Sequence, residues 1–102
     1  ILDFAGSFQE FTGTCMIGYA MARGLRRGWL DSSYRSSVDL AWRGVKERID
    51  DAGNVVDACI STGVQQNVAE YLDRTAIFGY DDRSGSLALW FALETERLER
   101  ET

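Results

Sequence analysis

The stretch from Glu10 to Asp31, EFTGTCMIGYAMARGLRRGWLD, constrains the fold more than any other part of the chain. A hydroxyl–glycine–hydroxyl turn (Thr12, Gly13, Thr14) opens it, and a helix apolar on nearly every side follows. Such a helix has to be covered all round, by protein or by lipid. Arg23, Arg26 and Arg27 interrupt it, and it is too short to cross a bilayer. Other helices must surround it, and 102 residues are barely enough to supply them.

The chain reads as one segment, residues 1–102, whose 45% apolar content is that of a folded protein. Its net charge of −5 argues against nucleic acid or an anionic membrane as partner. With no histidine, His-based zinc sites and Ser–His or Cys–His nucleophile pairs are excluded within the chain. Cys15 and Cys59 lack metal-binding spacing and read as two small buried hydrophobes, a disulfide being the alternative. The sequence shows no signal peptide, transmembrane segment or lipidation motif, and a cytoplasmic location is favoured. It starts at Ile1, which suggests a processed product or a piece of something longer.

Ile1 to Phe11 reads as a lead-in loop broken by Gly6 and Ser7. Thr12 or Thr14 is the expected N-cap of the first helix, which ends near Gly28. Gly18 and Gly24 mark close approach of a neighbouring backbone. Asp31 or Ser32 caps a second helix running to about Ile49, with Tyr34, Val38, Ala41, Val45 and Ile49 at helical spacing. The two form an αα-hairpin with an inner and an outer member. Asp50–Asn54 is a turn, and Val55–Ile60 a short strand or extended segment. Ser61–Gly63 is a second turn, and Gln65–Asp73 a short helix. FGYDDRSGS reads as a loop, with the final helix starting near Ser84 to Ser86. Trp29, Trp42 and Trp90 fall at helical positions as core fillers. Aligning Gly13 with Gly85 sets Thr12-Gly13-Thr14 on Ser84-Gly85-Ser86 and Tyr19 on Phe91, the trace of a helical repeat.

Six runs, in this order, resemble the C-terminal part of the unsaturated rhamnogalacturonyl hydrolases. They are QEFTGTCM (Gln9–Met16), RGWLD (Arg27–Asp31), DAGNVVDAC (Asp51–Cys59), STG (Ser61–Gly63), YLDR (Tyr71–Arg74) and DRSG (Asp82–Gly85). This is glycoside hydrolase family 105, related to the unsaturated glucuronyl hydrolases of family 88. The resemblance implies an all-α fold: α-hairpins from the C-terminal part of an (α/α)6 toroid, with three main helices here. It implies release of a 4,5-unsaturated uronic acid from pectin- or glycosaminoglycan-derived oligosaccharides by hydration of a vinyl ether. An aspartate acts as general acid and base, without metal or organic cofactor. That aspartate lies upstream of the matched region, so the chain is expected to hold no catalytic residue and to be inactive alone. Thr75 stands where the family tends to have proline.

In such a toroid the turns before inner helices sit at the mouth, where helix N-termini and hydroxyls favour an anion. Thr12 and Thr14 are the candidate contacts to the uronic-acid substrate, and Tyr80 a candidate platform for a sugar ring. Asp81 and Asp82 are adjacent, and capping or solvated acids are favoured over an acid–base pair. Asp57 reads as half of a structural ion pair with Arg27 or Arg74. The expected partners are the unsaturated oligosaccharide and either further copies of the chain or the rest of the barrel. The rival reading is a non-catalytic helical domain that self-associates, or a sugar-binding module.

Overall fold

The computed structural model describes residues 9–59, 63–79 and 81–101, with Ile77 described by its backbone alone. Four helices and two short strands follow one another: α1 (Phe11–Arg26), α2 (Arg35–Glu47), β1 (Val55–Cys59), α3 (Val68–Leu72), β2 (Ala76–Gly79) and α4 (Asp82–Arg100). The lead-in before Gln9 and the Ser61–Thr62 part of the second turn lie outside the described residues. Helices dominate, as expected. The sheet is a single antiparallel pair in which Val56 faces Phe78 and Cys59 faces Ala76.

Helix α1 is the centre of the fold, packed against α2, α4 and β1. Its buried row is Phe11, Cys15, Gly18 and Ala22, at spacings of three and four that keep one helical face inward. Helix α4 answers with Ser84, Ala88, Phe91, Thr95 and Leu98. The two rows meet where Phe91 lies over Gly18: a Cβ on Gly18 would stand 2.4 Å from Phe91 Cζ. Gly24 is filled in the same way by Leu30, so both glycines admit side chains, where the sequence suggested a neighbouring backbone. Trp42 of α2 meets the Phe91 ring edge-on, with centroids 5.3 Å apart and planes at 77°. Arg26 carries charge pairing across this interface, to Glu94 and, at 3.6 Å, to Glu101 past the end of α4. Arg26 Nε donates to Glu94 Oε1 at 2.6 Å, with Glu94 1% exposed.

Local chemistry sets the ends of the elements. At the end of α1 the Trp29 N–H reaches the Gly24 carbonyl at 2.7 Å and the Gly28 N–H reaches that of Leu25 at 3.2 Å. Gly28 takes φ +77°, the left-handed residue that this closure needs. Asp31 then accepts from the Ser33 N–H at 2.8 Å and starts a 3-10 turn, Ser32–Tyr34, that leads into α2. Val38 and Val45 bury the inward row of α2 and leave Asp39, Arg43 and Glu47 outside, as the spacing predicted, whereas Tyr34 and Ile49, expected on the same row, are exposed. In the DDAGN turn, Asp50 Oδ1 accepts from the Ala52 and Asn54 N–H groups.

Two expectations are corrected here. The final helix begins at Asp82, and Phe78 and Gly79 close β2, so FGYDDRSGS is mostly strand end and helix start. Asp81 makes this possible by accepting from the Ser84 N–H at 2.8 Å and its hydroxyl at 2.6 Å. Of the tryptophans only Trp42 packs inward; Trp29 is 71% exposed at the turn, and Trp90 lies on the open side of α4.

Candidate functional site

The N-terminal end of α1 carries a cluster of side-chain hydrogen bonds centred on Glu10. Glu10, not Thr12 or Thr14, is the N-cap: its carboxylate accepts from the backbone N–H groups of Thr12 and Gly13. The helix starts at Phe11, which puts both threonines inside it. The Thr12 hydroxyl donates to Glu10 Oε1, and the Thr14 hydroxyl donates to the Glu10 carbonyl at 2.8 Å. A fourth donor to the Glu10 carboxylate comes from far along the chain, the Cys59 N–H at 2.9 Å. One side chain thus closes α1 and pins the end of β1 to it.

This environment fixes the charge of Glu10. Partial burial pushes its carboxyl up. The Thr12 hydroxyl and the N–H groups of Gly13, Cys59 and Thr12 outweigh that and hold it below the ordinary 4.5. A carboxylate so saturated with donors is a clamp and not a proton donor at neutral pH. Its charge and burial together push the Cys15 thiol, deep in the same core, up to about 12, burial being the larger cause. Cys15 is the small buried hydrophobe expected, whereas Cys59 is half-buried; both are thiols.

Arg48, just past α2, organises the other side. Its guanidinium donates to the Gly44 carbonyl at 3.1 Å and to Gln9 Oε1. Its Nε lies 3.5 Å from Asp57 Oδ2. Asp57 is therefore ion-paired, but with Arg48 and not with Arg27 or Arg74. It occupies the bulge of β1, where the register shifts between Val56 and Ala58, with φ +65°. Aspartate is among the few residues that tolerate this conformation. Between α1 and α2 lies a cavity of about 340 Å³ whose wall includes Gln9, Glu10, Thr14, Leu40, Val45 and Arg48. Thr14 faces it and Thr12 does not line it.

Tyr80 lies outside the described residues. Its neighbour Asp81 is the α4 cap, held below the usual carboxylate range by the Ser84 hydroxyl and N–H, and Asp82 is exposed in the first helical turn. The adjacent acids are thus capping and solvated groups, as favoured from the sequence. Sequence reasoning missed Glu10 and Arg48. Glutamate is uncommon as an N-cap, and the Arg48–Asp57 pair depends on a bulge that no local pattern announces.

The helical arrangement is shared with solved glycoside hydrolase structures. A possible member of the GH105 family from Salmonella enterica serovar Paratyphi A superposes with a TM-score of 0.81 at 20% identity, over 99% of this chain and 26% of that one. One from Klebsiella pneumoniae gives 0.75 at 20% identity, again over 99% and 26%. A family 105 glycoside hydrolase of Clostridium acetobutylicum gives 0.69 at 22% identity, over 95% and 29%. The class is thus an α-helical glycoside hydrolase fold, of which the chain spans about a quarter. The family model of Glycosyl Hydrolase Family 88 matches residues 1–99, and the chain belongs to that family.

Proposed function

We propose that the chain forms the C-terminal part of an (α/α)6 toroid that releases 4,5-unsaturated uronic acid from pectin- or glycosaminoglycan-derived oligosaccharides by hydrating the vinyl ether bond. The observation that carries this reading is the family match over residues 1–99, in a chain that spans 26% of the structures it superposes on. The general acid–base aspartate then belongs to the remainder of the ring. Glu10 and Asp81 are occupied with backbone donors and Asp57 with Arg48, which supports inactivity of the chain alone.

The segment contributes wall and rim. Thr14 faces a cavity and, with its O–H donated in a hydrogen bond to the Glu10 carbonyl, offers lone pairs to a sugar hydroxyl. Thr12 is similarly spent on Glu10, whose charge makes this helix end better suited to a sugar hydroxyl than to the substrate carboxylate. Tyr80 keeps its role as a stacking platform. The test is turnover of an unsaturated disaccharide, followed by loss of the double bond's ultraviolet absorbance. The whole-ring polypeptide is expected to turn over and the 102-residue chain not; activity in the chain alone refutes the division of labour. Thr14→Val and Tyr80→Ala are expected to raise KM in the whole-ring polypeptide with kcat little changed. Calorimetric binding of the sugar by the chain, with no turnover by the larger polypeptide, favours a binding module instead.

A further inference from the structure

The cavity between α1 and α2, about 340 Å³, falls within the roughly 300–1,000 Å³ of small-ligand sites. Its lining combines three chemistries. Leu40, Ala41 and Val45 give an apolar wall, Thr14 and Ser37 bring hydroxyls, and the charged residues are Glu10 and Arg48. The Glu10 carboxylate is taken up by its four donors. The Arg48 guanidinium is not saturated in the same way. Its hydrogen bonds among the described residues go to neutral acceptors, the Gly44 carbonyl and Gln9 Oε1, and its Nε–H is buried without one. Asp57 Oδ2 stands 3.5 Å from that Nε, an ion pair without a hydrogen bond. Asp57 reaches this place through the β1 bulge, at φ +65°, the one positive φ of a non-glycine among the described residues. Bulges re-aim side chains beside functional sites, and an outlying backbone angle points the same way.

We propose that Arg48 reads the carboxylate of a sugar acid bound in this cavity, and that Asp57 orients and tempers its guanidinium. The proposal rests on the hydrolase reading above and assigns the residue that separates a uronate from a neutral sugar. A guanidinium matches a carboxylate through paired N–H donors. The apolar wall suits the C–H face of a pyranose, and the hydroxyls of Thr14 and Ser37 suit those of the ring. Without ligand, Asp57 is the counter-charge that a half-buried Arg48 needs. The ligand carboxylate competes with it for the same guanidinium.

The test compares, in the polypeptide that carries the whole ring, turnover of an unsaturated uronyl disaccharide and of its methyl ester, which lacks the carboxylate charge. Arg48→Gln is expected to raise KM for the acid roughly tenfold or more, the loss of one charge-assisted hydrogen bond. KM for the ester changes little, and Arg48→Lys retains part of the preference for the acid. Asp57→Asn keeps a residue tolerant of positive φ and removes the competing charge, so KM falls for the acid and not for the ester. The acid-to-ester KM ratio decides. A ratio unmoved in Arg48→Gln, or in Asp57→Asn where the former does not fold, overturns the proposal, since a purely structural ion pair moves Tm and not this ratio. Failure of the hydrolase reading shows separately, as absence of turnover by the unsubstituted polypeptide. Calorimetry with galacturonate and galactose then decides: binding of the acid alone, lost in Arg48→Gln, sustains the carboxylate site, and equal binding of both or of neither removes it.

Discussion

Gly18 and Gly44 sit inside helices, and alanine at the two positions is expected to act in opposite directions. Alanine in place of a helical glycine gains up to about 1 kcal/mol, because glycine loses more backbone freedom on folding. At Gly44, in α2, nothing lies within 4 Å of the added Cβ, so the gain stands alone. At Gly18 the same atom meets three ring carbons of Phe91 at 2.4, 2.6 and 2.8 Å, about 1 Å inside ordinary carbon contact. The ring cannot swing away freely, being fully buried and held edge-on by Trp42. Either α1 and α4 separate or Phe91 leaves its rotamer, and overpacking of this kind costs about 1–3 kcal/mol. The propensity term is common to both variants and cancels, so the difference between them is that packing cost. With a urea m-value of about 1–2 kcal/mol/M, about 2 kcal/mol separates their midpoints by about 1–2 M. Urea unfolding followed by far-UV circular dichroism reads this directly, provided m is unchanged. Equal shifts of both midpoints in the stabilising direction refute the close approach of Phe91 to Gly18.

Glu10→Gln is expected to destabilise by about 1–3 kcal/mol at pH 7, since an amide cannot accept from all four donors. Because the folded carboxyl titrates below its unfolded value, the Glu10 contribution is complete above the ordinary 4.5 and is lost as pH falls through the lower folded value. Urea midpoints measured down to acid pH show this limb flattened in Glu10→Gln; an unchanged limb counts against the clamp. Arg26→Met leaves Glu94 buried with only Arg97, at 3.6 Å, and lowers Tm. Adding Glu94→Leu recovers part of the loss, and a double variant less stable than the single contradicts the pairing. Cys15, fully buried and pushed up to about 12, resists alkylation in the native chain at pH 8 and reacts only on unfolding. Mass spectrometry of iodoacetamide-treated protein checks this, and equal native and unfolded labelling rates contradict it.

The α-hairpin was readable in the sequence because its signals are local. The spacing of Val38 and Val45, the Asp31 cap and the Asp50–Asn54 turn each depend on residues within about a turn of one another. The start of α4 was not, because Gly85 and the serines around it suggest a loop until Asp81 is seen to satisfy the Ser84 N–H in the first helical turn. Trp29 and Trp90 mislead for a different reason. Helical spacing says that a residue lies on a face, but not whether that face has anything to pack on. At the candidate site the sequence set Thr12 and Thr14 in the turn before α1 and the adjacent acids in a loop, whereas both helices start earlier, at Phe11 and Asp82. Glu10 could not be found from its neighbours alone, since its fourth donor comes from Cys59, 49 residues on.

The Arg26–Glu94 pair, which closes α1 against α4, also has a time attached to it. Its partners are 68 residues apart, and at a synthesis rate of about 5–20 residues per second the second emerges roughly 3–14 s after the first. The hairpin of α1 and α2 is ready long before that, its contacts being local and its turn set by Gly28. Through this interval the notch at Gly18 and the core around Cys15 and Ala22 stay uncovered on the α4 side. A nascent chain of this design is thus most prone to aggregate late in translation, when the longest-range pairing is the one still missing.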